Sequence, residues 1–144
     1  MLDKYDFYLA SPFFNDEQRE RETYIKNTLR KKGYKVYAPI EEGVVNLNEE
    51  EEELNRIFNS NIKAINLSDK VIVITDGKDI GTIWEAGYAY ALNKSIIYFA
   101  ETLGNNPFNL MLAQSGIGIF KSRESFCNAV NKGDFYKKDE VFYE

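Results

Sequence analysis

The chain contains no histidine. Ser-His-Asp triads, Cys-His pairs, His-liganded zinc and histidine general bases are thereby excluded together. Acid–base or nucleophilic chemistry is left to carboxylates, Tyr, Lys and one cysteine. That cysteine, Cys127, can form no intramolecular disulfide, which makes a reducing cytoplasm the expected compartment. Within SFCNAV it reads as a helical core residue rather than a nucleophile. No run approaches the ~20 apolar residues that span a bilayer. The opening MLDKYDFYLASP carries acids and no long apolar region, so it does not read as a signal peptide. Positive charge is also scarce, with 18 Lys and Arg against 23 Asp and Glu and a net charge of -5. Such a balance provides no basic field for a polynucleotide backbone, although a single nucleoside or nucleotide stays compatible.

Aromatic residues are abundant instead: ten Tyr, ten Phe and one Trp make up 15% of the 144 residues. That surplus suits gripping something flat and apolar, or subunits that meet through aromatic faces. With 44% hydrophobic and 28% charged residues, the composition is globular, and the length suits one domain over residues 1–144. The acidic run NEEEEEL, from Asn48 to Leu54, reads as a solvated helix start favoured by the macrodipole.

Local patterns alternate between strand and helix. DFYLASPF reads as a strand stopped by Ser11-Pro12, and residues 16–32 as a helix with Tyr24, Ile25, Thr28 and Leu29 in a stripe and Gly33 after its end. YKVYAP (34–39) follows as a strand. EEGVVNLN reads as a loop, and residues 48–69 as a long helix or a broken pair of helices. KVIVITD (70–76) is a continuous apolar strand of the kind buried on both faces of a parallel sheet. IWEAGYAYALN reads as a helix, with Gly87 expected to allow close approach to the sheet. KSIIYFA (94–100) and GIGIF (116–120) read as strands, separated by a Gly/Asn/Pro loop and a helical turn at NLMLAQ. Ser122 is an N-cap candidate for the last helix, and the tail GDFYKKDEVFYE reads as irregular. This order predicts a doubly wound α/β sheet, mostly parallel and five-stranded, with helices on both faces. Ligands of such sheets bind beyond the carboxyl ends of the strands, where ASPFFND, DGKDIGT and TLGNNPFN fall.

The middle loop leads into VIVITDGKDIGTIWEAGYAYAL, which holds one acid, Glu85, among Trp, Tyr and small residues. Its segment from Asp79 to Ala89, D-x-G-T-x-W-E-x-G-Y-A, resembles the core motif of the nucleoside 2-deoxyribosyltransferases. YLASPFF, NIKAINLSDKVIVI and NPFNLM resemble further segments of that family in the same order, from about Tyr8 to Met111. The resemblance implies a flavodoxin-like domain that exchanges the base of a 2′-deoxynucleoside through a covalent deoxyribosyl-enzyme, as in base salvage. It implies Glu85 as nucleophile, Asp79 as the acid that contacts and protonates the base, and Tyr8 as the hydrogen-bond donor to the nucleophile. Phe14 matches an aromatic of the base pocket, and Gly81 and Trp84 fall within the substrate-binding motif. Asn109 and Met111 match residues that reach a neighbouring subunit's site, Asn109 toward the sugar 5′-hydroxyl. Asn61 stands where some members carry a second base-binding Asp, and Gly43 where some carry a Gln.

No metal or organic cofactor is expected. The expected partners are nucleosides and free bases, with no polymeric nucleic acid or membrane, and a dimer-based homo-oligomer, up to a hexamer, with shared sites. Two competing functions share the pattern. One is a deoxynucleoside 5′-monophosphate N-glycosidase, whose first loop would carry glycines and arginines for the phosphate, where this chain has SPFFND. The other is a nucleotide-sensing module without turnover. Asp76 reads as a turn residue, Tyr8 also fits a buried strand position, and Asn109 also fits a helix cap.

Overall fold

Alternate residues of the middle strand point to opposite faces of a sheet, and here both sets are apolar. In the computed structural model, which describes residues 3–43, 45 and 50–144, this strand is β3, Ser68–Ile74. Val71 and Val73 enter one core layer with Tyr8, Ala10, Ala86 and Ala89. Ile72 and Ile74 enter the opposite layer with Phe7, Leu9, Ile25, Leu29 and Phe126. Each of these large side chains is almost fully buried, which contributes roughly 1.5–3 kcal/mol per residue before chain entropy is counted.

The remaining strands are β1 (Tyr5–Ala10), β2 (Val36–Tyr37), β4 (Ser95–Phe99) and β5 (Gly118–Phe120). Their order is β2-β1-β3-β4-β5, every pairing is parallel, and Tyr8 lies opposite Val71 on one side and Tyr37 on the other. This is the flavodoxin-like order, with a switch point between β1 and β3. The helices are α1 (Asp16–Lys31), α2 (Glu51–Asn66), α3 (Ile80–Ala91), α4 (Leu110–Ser115) and α5 (Arg123–Lys132). Ile25 and Leu29 of α1 and Phe126 and Val130 of α5 cover one face, while Ala64 and Ile65 of α2, Ala86 and Ala89 of α3 and Ala113 of α4 cover the other. The predicted α/β sheet is therefore present, and it is wholly rather than mostly parallel.

Several boundaries differ from the sequence reading, each for a local reason. Asn48 and Glu49, where the acidic helix was expected to begin, lie outside the described residues. At the other end α2 stops at Asn66, and Ser68 already belongs to β3, its hydroxyl donating to the Ala64 carbonyl. Residues 39–42, after the short β2, form a 3-10 turn entered through Pro39. Gly87 is exposed, and a Cβ there would meet nothing within 4 Å. Ala86 and Ala89 make the close approach instead. The tail is not irregular: Phe108 pairs with Tyr143 and Ile119 with Lys138, so residues 135–144 run alongside β5 and the segment preceding α4. No described helix is long and apolar enough to cross a membrane.

Candidate active site

Strand β1 carries Tyr8 into the layer beneath α2 and α3, where it is fully buried. A phenol in that position needs a partner for its hydroxyl. The partner is Glu85, one turn into α3, whose Oε2 accepts a hydrogen bond from the Tyr8 hydroxyl. The helix presents Glu85 inward because its neighbour Ala86 packs on the sheet, while Trp84 turns outward. The pair thus joins β1 to the helix after β3, at the switch point of the sheet.

Burial dominates the electrostatics here. It pushes the Glu85 carboxyl up to about 7, against the lowering effect of the Tyr8 hydrogen bond, and the Asp79 charge adds a smaller upward push. Burial and the Glu85 charge raise Tyr8 well beyond the usual range of a phenol. Tyr8 consequently stays protonated and acts as a donor, never as a base. Its bond to Oε2 leaves Oε1 for other work.

Asp79 is the N-cap of α3. Its Oδ2 accepts from the Thr82 backbone N–H and the Thr82 hydroxyl, both at 2.9 Å. Gly81 follows the cap, and a Cβ there would make ordinary contact with Asp79 Oδ2 at 3.4 Å. Capping and acid chemistry need not compete, because a carboxylate has two oxygens and the cap employs one. Asp76 does more than form a turn. It is 4% exposed, and its Oδ1 accepts from the Thr102 N–H and hydroxyl, both at 2.6 Å, tying the loop after β3 to the loop after β4.

The other expected site residues divide into two groups. Asn61, on α2, accepts a long 3.4 Å hydrogen bond from the Tyr37 hydroxyl, and Tyr37 stacks on Tyr8. Asn61 is therefore linked to the Tyr8–Glu85 pair. Trp84 stands in a half-exposed aromatic row, stacked on Tyr88 at 5.6 Å and tilted against Phe58 at 5.7 Å. Phe14, in the loop after β1, is 68% exposed beside Phe13. Asn109 is the N-cap of α4, its Oδ1 accepting from the Leu112 N–H at 3.1 Å, and Met111 is 78% exposed.

Asn109 and Met111 instead border a crevice of about 700 Å³ beyond β3 and β4, with Thr75, Lys78, Thr102 and the final residue Glu144. Tyr8, Asp79 and Glu85 are not in its wall. The reactive geometry marks the candidate site: at the switch point of the sheet a partly buried carboxylate, Glu85, faces the phenol of Tyr8, with Asp79 at the head of the same helix. Tyr37 is the residue sequence reasoning missed. Its only signal was its place in YKVYAP, and the pairing register that sets it opposite Tyr8 is not written in that segment. Among the described residues, no cluster of three or more His, Cys, Asp or Glu side chains is arranged to hold a metal ion.

The chain resembles known proteins in fold and sequence. The chain is similar to a 2-deoxyribosyltransferase from Bacillus psychrosaccharolyticus, with 30% identity over 85% of this chain and 90% of that one and a TM-score of 0.74. A 2-desoxiribosyltransferase from Leishmania mexicana is 24% identical, over 87% of this chain and 96% of its own, with a TM-score of 0.63. A CMP N-glycosidase from Clostridium botulinum is 18% identical, over 88% and 98%, with a TM-score of 0.57. These last two share the fold. No curated protein matches the chain in sequence. The family model for nucleoside 2-deoxyribosyltransferase matches residues 7–119, the span that runs from β1 into β5 and includes Tyr8, Asp79 and Glu85. The chain belongs to the nucleoside 2-deoxyribosyltransferase family.

Proposed function

We propose that the protein exchanges the base of a 2′-deoxynucleoside, with Glu85 as the nucleophile. The observation that carries this reading is the part-buried Tyr8–Glu85 hydrogen bond, with Asp79 at the head of the same helix. Breaking an N-glycosidic bond develops oxocarbenium character at C1′, which a carboxylate captures while a second acid assists the leaving group. In the first half-reaction Glu85 Oε1 forms a bond to C1′ as the C1′–N bond breaks. The electron pair of that bond goes to the base, and Asp79, having first taken a proton from solvent, delivers it through Oδ1. In the second half-reaction an incoming base attacks C1′, the ester bond to Glu85 breaks, and Asp79 takes the proton back. Tyr8 holds Oε2 throughout, so the ester forms through one defined oxygen.

Transfer rather than hydrolysis requires the second base to arrive before water, and aromatic walls around a buried carboxylate restrict water. Phe13, Phe14 and Trp84 are suited to supply them. The first loop favours a neutral 5′-hydroxyl over a 5′-phosphate. Arg19, on the first turn of α1, is engaged by Asp16 at 2.6 Å and by the Phe13 carbonyl at 3.2 Å. The active form in this reading is a homo-oligomer, with Asn109 and Met111 completing a neighbour's site.

Incubation with a deoxynucleoside and a different free base tests the proposal. A new deoxynucleoside supports transfer; free deoxyribose as the only sugar product would assign a hydrolase, and no reaction a binding module.

A further inference from the structure

Tyr37 has no place in the reaction as described, yet it is built into its centre. It lies opposite Tyr8 in the β1–β2 pairing, is 7% exposed, and its ring stacks on that of Tyr8 with centroids 5.5 Å apart and planes 12° off parallel. Tyr5 closes on Tyr37 edge-to-face at 5.2 Å and 68°. Aromatic contacts of this kind gain roughly 0.5–1.5 kcal/mol beyond area burial and prefer defined geometries. The Tyr8 ring is therefore held between the sheet and a second ring, and its hydroxyl has one direction in which to point.

We propose that Tyr37 is a positioning residue, whose ring fixes the Tyr8 hydroxyl on Glu85 Oε2 and so sets the state of the carboxylate without touching the substrate. The proposal rests on Glu85 as the reactive acid. The Tyr8 hydrogen bond lowers Glu85 against its burial. Loss of alignment therefore weakens the only lowering influence, and Glu85 titrates higher. The groups that bear on the pair are Tyr8 from β1, Asp79 and Glu85 from α3, and Tyr37 from β2. Burial, the Glu42 charge and the neighbouring Tyr5 raise Tyr37 itself to about 12, with Glu85 adding least and Arg56 of α2 opposing, so it is a neutral ring at any working pH.

Carbon-13 NMR titration of side-chain-labelled glutamate tests this without requiring turnover, with the Glu85 signal assigned by its loss in Glu85→Gln. Tyr8→Phe provides the reference, an upward movement of Glu85. Tyr37→Leu, which keeps apolar volume in place, should move Glu85 up by about half a unit or more, and should add nothing in the Tyr8→Phe background. Tyr37→Met, a more compliant filler, should act as Leu does. Tyr37→Phe, which keeps the ring, should hold the wild-type titration. In exchange assays Tyr37→Leu should lower kcat about tenfold with KM within about twofold, the pattern of misplaced rather than missing chemistry. An unmoved Glu85 in both Tyr37→Leu and Tyr37→Met would overturn the proposal. So would an equal movement with and without the Tyr8 hydroxyl, or a full effect of Tyr37→Phe. Absence of exchange in the wild type would count against the proposed function alone, because the titration stands apart from it.

Discussion

Tyr8 and Glu85 are 77 residues apart in sequence and share one hydrogen bond across the switch point of the sheet. Among the described residues the Tyr8 hydroxyl bonds only Glu85, and burial raises the Glu85 carboxyl to about 7. Each makes the other tolerable: the phenol has an acceptor, and the carboxylate has a donor.

The pH dependence follows from the direction of the Glu85 shift. The carboxyl is raised to about 7, so the carboxylate that the proposed reaction uses is present above that value and lost below it. Exchange measured as kcat/KM should rise through about pH 7 and level off at higher pH. A rate flat from about pH 5 to 8 would separate Glu85 ionisation from catalysis.

The same shift carries a stability cost. Between the unperturbed value of 4.5 and about 7 the folded state binds more protons than the unfolded state, so stability falls as pH rises through that window. Glu85→Gln removes the charge and should stabilise the fold by about 1–3 kcal/mol above pH 7, with the advantage fading toward pH 4.5. Thermal unfolding at pH 8 and pH 5 reads the difference. An equal or lower melting temperature at pH 8 would mean that Glu85 is better solvated than the structure shows.

Asp79→Asn keeps an oxygen for the Thr82 cap and removes the transferable proton. Exchange of ordinary bases should slow about 10²–10⁴-fold, with a much smaller loss for an activated leaving group. Equal losses for both would mark Asp79 as a cap alone.

The β3 and α3 segments were the most legible parts of the chain. An apolar run on both faces admits few placements other than a central parallel strand, and Asp79 and Glu85 lie within one local motif. The Ser122 and Asn109 caps were legible for the same reason, because a cap bond spans three residues. Features made by backbone pairing were not. The tail bonds through main-chain groups, as in the Phe108 N–H to the Phe142 carbonyl at 2.6 Å, and such bonds leave little trace in side-chain pattern. The stack of Tyr37 on Tyr8 depends on register, and the small residues of α3 gave no sign that Ala86 and Ala89, rather than Gly87, face the sheet.

Gly118 gives a stability test of the tail. A Cβ there would lie 2.4 Å from the Phe135 carbonyl oxygen and 3.3 Å from that of Lys137, on a segment bonded to β5 through Ile119 N–H to the Lys137 carbonyl at 3.0 Å. Gly118→Ala should cost about 1–3 kcal/mol in chemical denaturation, the usual range for overpacking. A neutral result would show that the tail does not lie against β5 in solution.

Subunit sharing has its own test. Met111, which lines the crevice, is 78% exposed and its chain neighbour Leu110 is 45% exposed, an apolar edge that a neighbouring subunit would cover. Mixed Glu85→Gln and Asn109→Ala subunits, each inactive alone, should regain part of the activity when combined. A fully active monomer in sedimentation would contradict the shared site.

The central claim is that Glu85 carries the sugar between bases. Rapid quenching of the protein with a 2′-deoxynucleoside, followed by intact-mass and peptide analysis, tests it most directly. The account predicts a protein heavier by one deoxyribosyl group, mapped to Glu85 and absent from Glu85→Gln, that disappears when a free base is added. Full exchange activity in Glu85→Gln, or an adduct on any other residue, would contradict it.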